Sequence, residues 1–560
     1  MILGIDVGGT HTDAVLIEGR DVLEKVKVPT NSENLGGSLL EVAEQLLGTA
    51  GSRYPERVVF STTISTNAIV QDTVSTVGMI LANGPGIPPS YITTDENARF
   101  VSGYVNHRGI IVVPVDRREV EVIAESFHKK GIANIVVAGK FSTRNPRLEL
   151  DIDDIVGSRF AHVSLGHRMS GNLNFPRRVA TTYLNAAVWD IYRNFVEVVN
   201  AFINRFGKRF PVYILKADGG TLEINRSADY PAQTILSGPA ASVMGILSLA
   251  DCVEDAVALD IGGTTTDIAL FADGVPLLEP RGMTIGKYKT LIRGLRTQSI
   301  GIGGDSAVRF EHGGFVIGPH RHGPAAAFGG PTPTPTDAMI VLGLTSPDDR
   351  RKAEKALEPL AAQAGVSLES FARKIFDDTC RYIARAVTAM IERVNAQPVY
   401  TIHELLEGKV LRPTVLHVVG GPAEPMAPRI AEYLNCRAEI PQHAEVANAV
   451  GAALARTTTE LTVLADTEEK TLTIVEEGIR IPISSGFSRE EAAEICLDRL
   501  RERALAMGAG TKDLELEITE DQSFNMVRGF YTAGRNIRIK AQVKPGLIAG
   551  VERGDPSCTR

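Results

Sequence analysis

Two stretches far apart in the chain carry nearly the same groups in the same order. The first, GIDVGGTHTD, supplies Asp6, Gly8, Gly9, Thr10, His11, Thr12 and Asp13; the second, ALDIGGTTTD, supplies Asp260, Gly262, Gly263, Thr264, Thr265 and Asp267. An apolar strand that delivers an aspartate and then turns at Gly-Gly leaves backbone N–H groups uncovered, so a phosphate can come close. The threonine hydroxyls add donors. Carboxylates would repel a bare polyphosphate, and the set is coherent only with a cation such as Mg2+ between the two, bound directly or through its waters. A single copy reads as an ordinary hairpin turn. Two copies at the ends of apolar strands read as the two halves of one phosphate clamp.

A third glycine turn belongs with them. PTVLHVVGGPAEPMAPRIAEYL runs from an apolar strand through Gly420, Gly421 and Pro422 into an amphipathic helix starting near Glu424. Such a turn offers backbone to an adenine or a ribose, although alone it fits any α/β loop.

The elements that must position these groups follow from the local patterns. Residues 2–30 read as a β-meander with EGRD at a hairpin turn, and DAVALDIGGTTTDIALFADGVPLLEP repeats that unit with ADG at its turn. Between the copies the pattern predicts a helix over NLGGSLLEVAEQLLGTAG capped at Gly51, a buried strand RVVFSTT, a helix opening near STNAIVQ and a strand IVVAGKF. A long helical pattern over 176–207, ending at Gly207, is expected to cross from one lobe to another.

Bulk properties narrow the class. At 560 residues and 44% hydrophobic side chains, the chain exceeds what one core holds, so two or three domains are expected. A net charge of −8 offers no basic field for nucleic acid. Five cysteines (Cys252, Cys380, Cys436, Cys496 and Cys558) are odd in number and form no C-x-x-C pair, against both a disulfide framework and a thiolate zinc site. The start shows no charged segment followed by a long apolar one, and no run of about 20 apolar residues follows. A cytoplasmic protein is expected, with no membrane partner.

In order, the three glycine elements resemble the phosphate-one, phosphate-two and adenosine motifs of the actin, sugar kinase and Hsp70 ATPase superfamily. That resemblance implies an α/β fold of two duplicated ribonuclease H-like (actin-like ATPase) lobes with a cleft between them, closing on ATP and Mg2+. STTISTNAIVQ, RRVATTYLNAAV, LKADGG, LSGPAASVMG, SIGIGGDSAV and PTPTDAMIVLG look like the hydantoinase A/5-oxoprolinase family, in the family's order, from the first residue to about residue 455. The implied activity is ATP-dependent: phosphorylation of a cyclic amide or related carbonyl substrate before ring opening or carboxylation. A separate B-type subunit often takes part. Two alternatives stay open, a small-molecule kinase of the same superfamily and an ATPase switch or reactivating chaperone subunit.

On this resemblance the phosphates lie against Gly8, Gly9, Thr10, His11 and Thr12 and against Gly262, Gly263, Thr264 and Thr265. Asp6, Asp260 and Asp267 hold Mg2+ or its waters, and together with Asp13 are the candidate catalytic carboxylates. Gly303, Gly304 and Asp305 join the cleft, and Gly420, Gly421 and Pro422 line the adenosine. The expected division is 1–175 for the first lobe, 176–457 for the second and 458–560 for a small C-terminal α+β domain. A last helix over about 443–457 is expected to pack back on the first lobe.

Departures from the family pattern bear on the substrate. Asp305 stands where the family has a third glycine, GPAAAFGG lacks the family's cysteine and tyrosine, and ANGPGIPPSYITTDENARFVSGYVNHRG lacks its basic substrate segment. A re-lined pocket follows. In the tail, KTLTIVEEGIRIPIS reads as a hairpin, SREEAAEICLDRLRERALAMGAG as a helix with a Ser488/Glu491 capping box and Gly508 at its end, and DLELEITE and NIRIKAQVKPG as strands. No catalytic constellation stands out there.

Other residues keep two readings. His312, His320 and His322 read as a surface loop before a metal site, since no acidic or cysteine partner is near in sequence. His11, where the second hairpin has Thr265, is a donor to a phosphate or substrate oxygen, or a packing residue. Asp305 is a general base or an Asx turn. Lys216 and Asp218 face the cleft on resemblance only. No G-x-S-x-G elbow supports a serine hydrolase.

Overall fold

A computed structural model of the 560-residue chain describes residues 1–9, 11–31, 35–49, 55–205, 210–250, 252, 254–311, 314–345, 350–396 and 410–551. Thr10, Gly51, Gly207, His312 and Cys558 lie outside the described residues. The fold is mixed α/β with several sheets. Among the described residues no helix is long and apolar enough to cross a membrane, and Cys252, Cys380, Cys436 and Cys496 are free thiols.

The first meander forms as its alternation predicts. Ile2–Val7 pairs antiparallel with His11–Glu18, which pairs antiparallel with Asp21–Pro29. On the other side of Ile2–Val7 lie the parallel strands Arg57–Thr62 and Val212–Leu215, then Thr221–Glu223, giving one six-stranded sheet. This sheet therefore draws strands from both sides of the break expected at 175/176. The second meander repeats the connectivity. Ala256–Ile261 pairs antiparallel with Thr266–Ala272, which pairs with Val275–Pro276, while parallel strands Val415–Val419 and Arg437–Glu439 extend the other side.

Strand alternation decides which residues of the hairpins look where. Leu3, Ile5 and Val7 point into one core with the helix Trp189–Asn204, whereas Gly4 and Asp6 point to the opposite face. Val15 and Ile17, on the face of Asp13, join a different core with Ala241, Met244 and Ala449. In the second sheet Ala256 and Ala258 accompany Asp260, and Ala269 and Phe271 accompany Asp267, in a core shared with Ala240, Val243 and Ile246. All four aspartates thus sit on the faces that look toward two helices, Ser237–Leu249 and Ala447–Leu454.

Small residues let these helices approach the sheet and each other. A Cβ on Gly4 would lie 2.2 Å from the Ala449 carbonyl oxygen, one on Gly245 2.2 Å from that of Ala447, and one on Gly451 2.3 Å from that of Ala241. The helix expected over about 443–457 is a short 3-10 turn, Ala444–Val446, followed by Ala447–Leu454. Its backbone lies against the first strand.

The long helix expected over 176–207 is two helices, Phe175–Ala187 and Trp189–Asn204. They serve different cores. Phe175, Val179 and Ala186 pack with Val77, Met79 and Leu81 of a four-stranded parallel sheet, whereas Tyr192, Phe195 and Val199 pack on the first meander. The Ala187 carbonyl, at the junction, accepts the Ser75 N–H at 2.9 Å.

The tail is a five-stranded antiparallel sheet packed by the helix Arg489–Ala506, which starts on the expected Ser488/Glu491 capping box. Its strands run longer than the sequence pattern predicts. Leu516–Arg528 and Tyr531–Val543 form one hairpin turning at Gly529, with φ +63°, and Glu460–Asp466, absent from the sequence reading, is the central strand.

Candidate functional site

The two Gly-Gly turns close in the same way. Gly8 N donates to His11 O at 3.0 Å and Gly262 N to Thr265 O at 2.9 Å, each tightening the turn between a register pair of aspartates, Asp6 opposite Asp13 and Asp260 opposite Asp267. An open cleft of about 600 Å³ lies between them. His11, Asp13 and Lys27 line it from the first hairpin, and Asp260, Gly262, Gly263 and Thr264 from the second.

Two further loops complete the walls. Gly304 N donates to Gly262 O at 2.9 Å and Asp305 N to Gly263 O at 2.7 Å, which seats the Gly303–Asp305 turn on the second hairpin. Gly304 and Asp305 face the cleft. Gly420, Gly421 and Pro422 line it at the end of Val415–Val419. Gly420 has φ +97°, and a Cβ there would come 2.3 Å from Ile261 O, so only glycine lets this turn press against the second hairpin. Gly421 faces open space, with nothing among the described residues within 4 Å of an added Cβ.

The carboxylates differ in their surroundings. Asp6 is 7% exposed; Ser61 Oγ donates to its Oδ1 and Asn448 Nδ2 to its Oδ2 at 3.4 Å. Burial, reinforced by Asp13 and Asp260, still pushes its carboxyl up to about 6. Asp13 is raised by burial against the pull of Lys27, whose Nζ is 3.0 Å away. Asp260 is raised by burial and opposed mainly by Ser242, whose Oγ donates at 2.6 Å. Asp267 is pushed up to about 7 by burial and then by Asp260, and its Oδ1 is buried without a hydrogen-bond partner among the described residues. Asp305 is raised by burial and held back by Arg321, whose guanidinium donates to Oδ2 at 2.9 Å. The four hairpin aspartates are thus acidic groups poised to gain from a cation, but not a ready cage. Among the described residues no three His, Cys, Asp or Glu side chains converge to hold a metal.

Several expected residues fall elsewhere. Thr12 is fully buried on the far side of the pleat, its hydroxyl hydrogen-bonded to that of Thr30 at 2.9 Å, so it does not serve the cleft. Asp267 lies behind Asp260 in a small recess with Ser242 and Val243. Thr265 is exposed, Gly8 and Gly9 turn beside the helix Ile64–Val70, and His320 and His322 are exposed with ring centroids 6.5 Å apart. Lys216 and Asp218 line a different cavity.

Ser61, Ser242, Asn448, Lys27 and Arg321 also contact these carboxylates and were not singled out from the sequence. Ser61 and Ser242 sit inside motifs already singled out. Asn448 carries no local signal, because its role depends on a helix that returns from far along the chain.

Comparison with known proteins adds to this geometry. The Hydantoinase/oxoprolinase family profile matches residues 178–461, and the profile of the Hydantoinase/oxoprolinase N-terminal region matches residues 2–160. The alpha subunit of caprolactamase from Pseudomonas jessenii is 23% identical over 478 residues, 78% of this chain and 67% of that one. The gamma subunit of acetophenone carboxylase from Aromatoleum aromaticum is 24% identical, with 64% and 57% covered. 5-Oxoprolinase 1 of Arabidopsis thaliana is 24% identical, and this chain spans 28% of its length. The crystal structure of the ATP-dependent caprolactamase superposes with a TM-score of 0.73 at 19% identity, covering 98% of this chain and 88% of that one. The nucleotide-free structure of acetone carboxylase gives 0.70 at 19% identity, with the same coverage.

Proposed function

This chain belongs to the hydantoinase/oxoprolinase family, and we propose that it is an ATP-dependent enzyme subunit that phosphorylates the carbonyl oxygen of a cyclic amide or related compound ahead of ring opening. One observation carries the reading: meanders from two sheets of matching connectivity, the first through His11, Asp13 and Lys27 and the second through Asp260 and its Gly262–Gly263 turn, face a single cleft of about 600 Å³ with the Gly420–Pro422 turn beside them. The matching connectivity supports two duplicated ribonuclease H-like lobes. The strand pairing favours a first lobe that runs through Thr221–Glu223, a second through Ala447–Leu454 and the tail as a small third domain.

The Gly262 N–H closes the turn on Thr265 O, so the backbone N–H of Gly263 would serve the phosphate oxygens and Gly421 the adenosine end. Asp260 with Asp6 would hold Mg2+ or its waters, and the upward shifts of these two carboxyls fit a pair that gains from a cation. The cation supplies charge neutralisation on the transferring phosphoryl group. Ser61, Ser242 and Asn448 keep Asp6 and Asp260 oriented and favour their ionised forms. The related proteins named as subunits support a partner subunit as well.

The test is product analysis. The purified chain, alone and with the protein encoded beside it, is incubated with Mg-ATP and a panel of lactams, hydantoins and ketones. Ring-opened or carboxylated product with ADP and phosphate supports the proposal. A stable phosphoester, or ATP turnover indifferent to every metabolite, overturns it in favour of a kinase or a switch.

A further inference from the structure

Away from the cleft, a second cavity of about 60 Å³ lies beyond the carboxyl end of Val212–Leu215. That is the sheet edge where ligands gather in parallel α/β arrangements. Its walls bring charges from four places, the first being Arg168 of the short helix Gly166–Met169. Lys216 and Asp218 come from the turn after the strand, Arg293 from the connection that follows Tyr288–Lys289, and Glu460, Glu476 and Arg503 from the C-terminal sheet and its helix.

Nearly every one of these groups is already satisfied. Asp218 accepts from Thr458 Oγ1 at 2.8 Å and Gly220 N at 3.0 Å, and stands 3.4 Å from Lys216 Nζ. Glu460 pairs with Lys540 at 3.0 Å. Glu476 accepts from Thr462 N at 2.8 Å and Thr462 Oγ1 at 2.9 Å. Arg503 Nε donates to Thr459 Oγ1 at 3.1 Å. Lys216 Nζ donates to Thr458 O at 2.8 Å, which with Asp218 leaves one of its three donors free.

Arg293 is the exception. Its Nη1 and Nη2 are both buried and have no hydrogen-bond partner among the described residues; the nearest carboxylate oxygen, Asp218 Oδ2, is 3.4 Å from Nη1. Buried donors are costly when left unpaired. Asp218 is shared with Lys216, Thr458 and the Gly220 N–H, and Glu460 and Glu476 are committed to Lys540 and Thr462, so the two Nη groups still lack an acceptor at hydrogen-bond geometry. A guanidinium presents two parallel N–H groups that match the two oxygens of a carboxylate or a phosphate. Room sets the size: at about 10–15 Å³ for each water-sized group, the cavity takes on the order of four to six non-hydrogen atoms.

We propose that this cavity is a binding site for a small oxyanion, a carboxylate or a phosphate, gripped by Arg293 through both Nη atoms with Lys216 as the second cation. Nothing in it depends on a nucleotide, so it stands or falls apart from the reading of the cleft.

Thermal unfolding of the full chain tests it, in sodium acetate, sodium phosphate or sodium chloride at equal ionic strength. At least one of the two oxyanions is expected to raise the wild-type Tm by about 2 °C or more over chloride. Arg293→Gln should lose that shift while keeping its Mg-ATP titration, and Arg293→Lys should keep part of it. Which anion acts separates carboxylate from phosphate. No shift in the wild type, or an equal shift in Arg293→Gln, overturns the proposal. Should Arg293→Gln fail to fold, phenylglyoxal labelling of the wild type decides: Arg293 protected by acetate or phosphate supports the site, and labelling indifferent to both overturns it.

Discussion

Asn448 donates its side-chain amide to Asp6 at 3.4 Å, and the same side chain favours the ionised form of Asp260. One residue on the helix Ala447–Leu454 thus holds a carboxylate of each hairpin. Removing it leaves both acids with fewer donors for their charged forms. In Asn448→Ala the acidic limb of the pH–rate profile for Mg-ATP turnover should move to higher pH, with the fold retained. A limb that stays in place contradicts the assignment.

The same helix depends on Gly4. A side chain there would meet the Ala449 carbonyl oxygen at 2.2 Å and Ala453 Cβ at 2.8 Å, and neither atom belongs to a flexible side chain. Gly4→Val should cost more than the roughly 1–3 kcal/mol of ordinary overpacking. Urea denaturation measures it. A variant within about 1 kcal/mol of wild type would show that the helix is free to shift.

Burial lifts Asp267 from its ordinary value of 3.8 to about 7, so the folded protein without nucleotide holds a proton that the unfolded chain releases. A carboxyl raised on folding stabilises fully below its unfolded pKa and loses that contribution as pH climbs through the folded one. Between about pH 4 and 7, Asp267→Asn should therefore gain on the wild type by up to about 1.4 kcal/mol per pH unit. Denaturant titrations at pH 5 and pH 7 give the difference. A gap between the two proteins that does not change with pH contradicts the burial of an ionisable Asp267.

The repeated meanders, the capping box at Ser488 and the three glycine turns were legible because each is written within a few residues. What was not legible depends on partners. A two-residue turn that pairs Glu18 with Asp21 carries Asp13 opposite Val26, but a bulge between Leu16 and Ile17 shifts the register and places Lys27 there instead. The apolar period through 176–207 continues unbroken across Val188, although the two halves face different cores. Val212–Leu215, which the sequence pattern does not single out, joins the first sheet beside Val58 and Phe60. Periodicity reports an element and one of its faces, not the neighbour that covers it. Thr12 shows the limit within the motif itself, since the pleat turns it away from the residues quoted beside it.

The central claim is that a nucleotide occupies the cleft between the hairpins. Gly421 tests it most directly, because it lines that cleft and an added Cβ meets nothing among the described residues within 4 Å, so a larger side chain fits the empty protein. Isothermal titration of Mg-ATP into the wild type and Gly421→Val is the measurement. Saturable binding to the wild type and a loss of tenfold or more in the variant, at unchanged Tm without ligand, is the predicted result. Equal binding by both proteins, or none by the wild type, would contradict it.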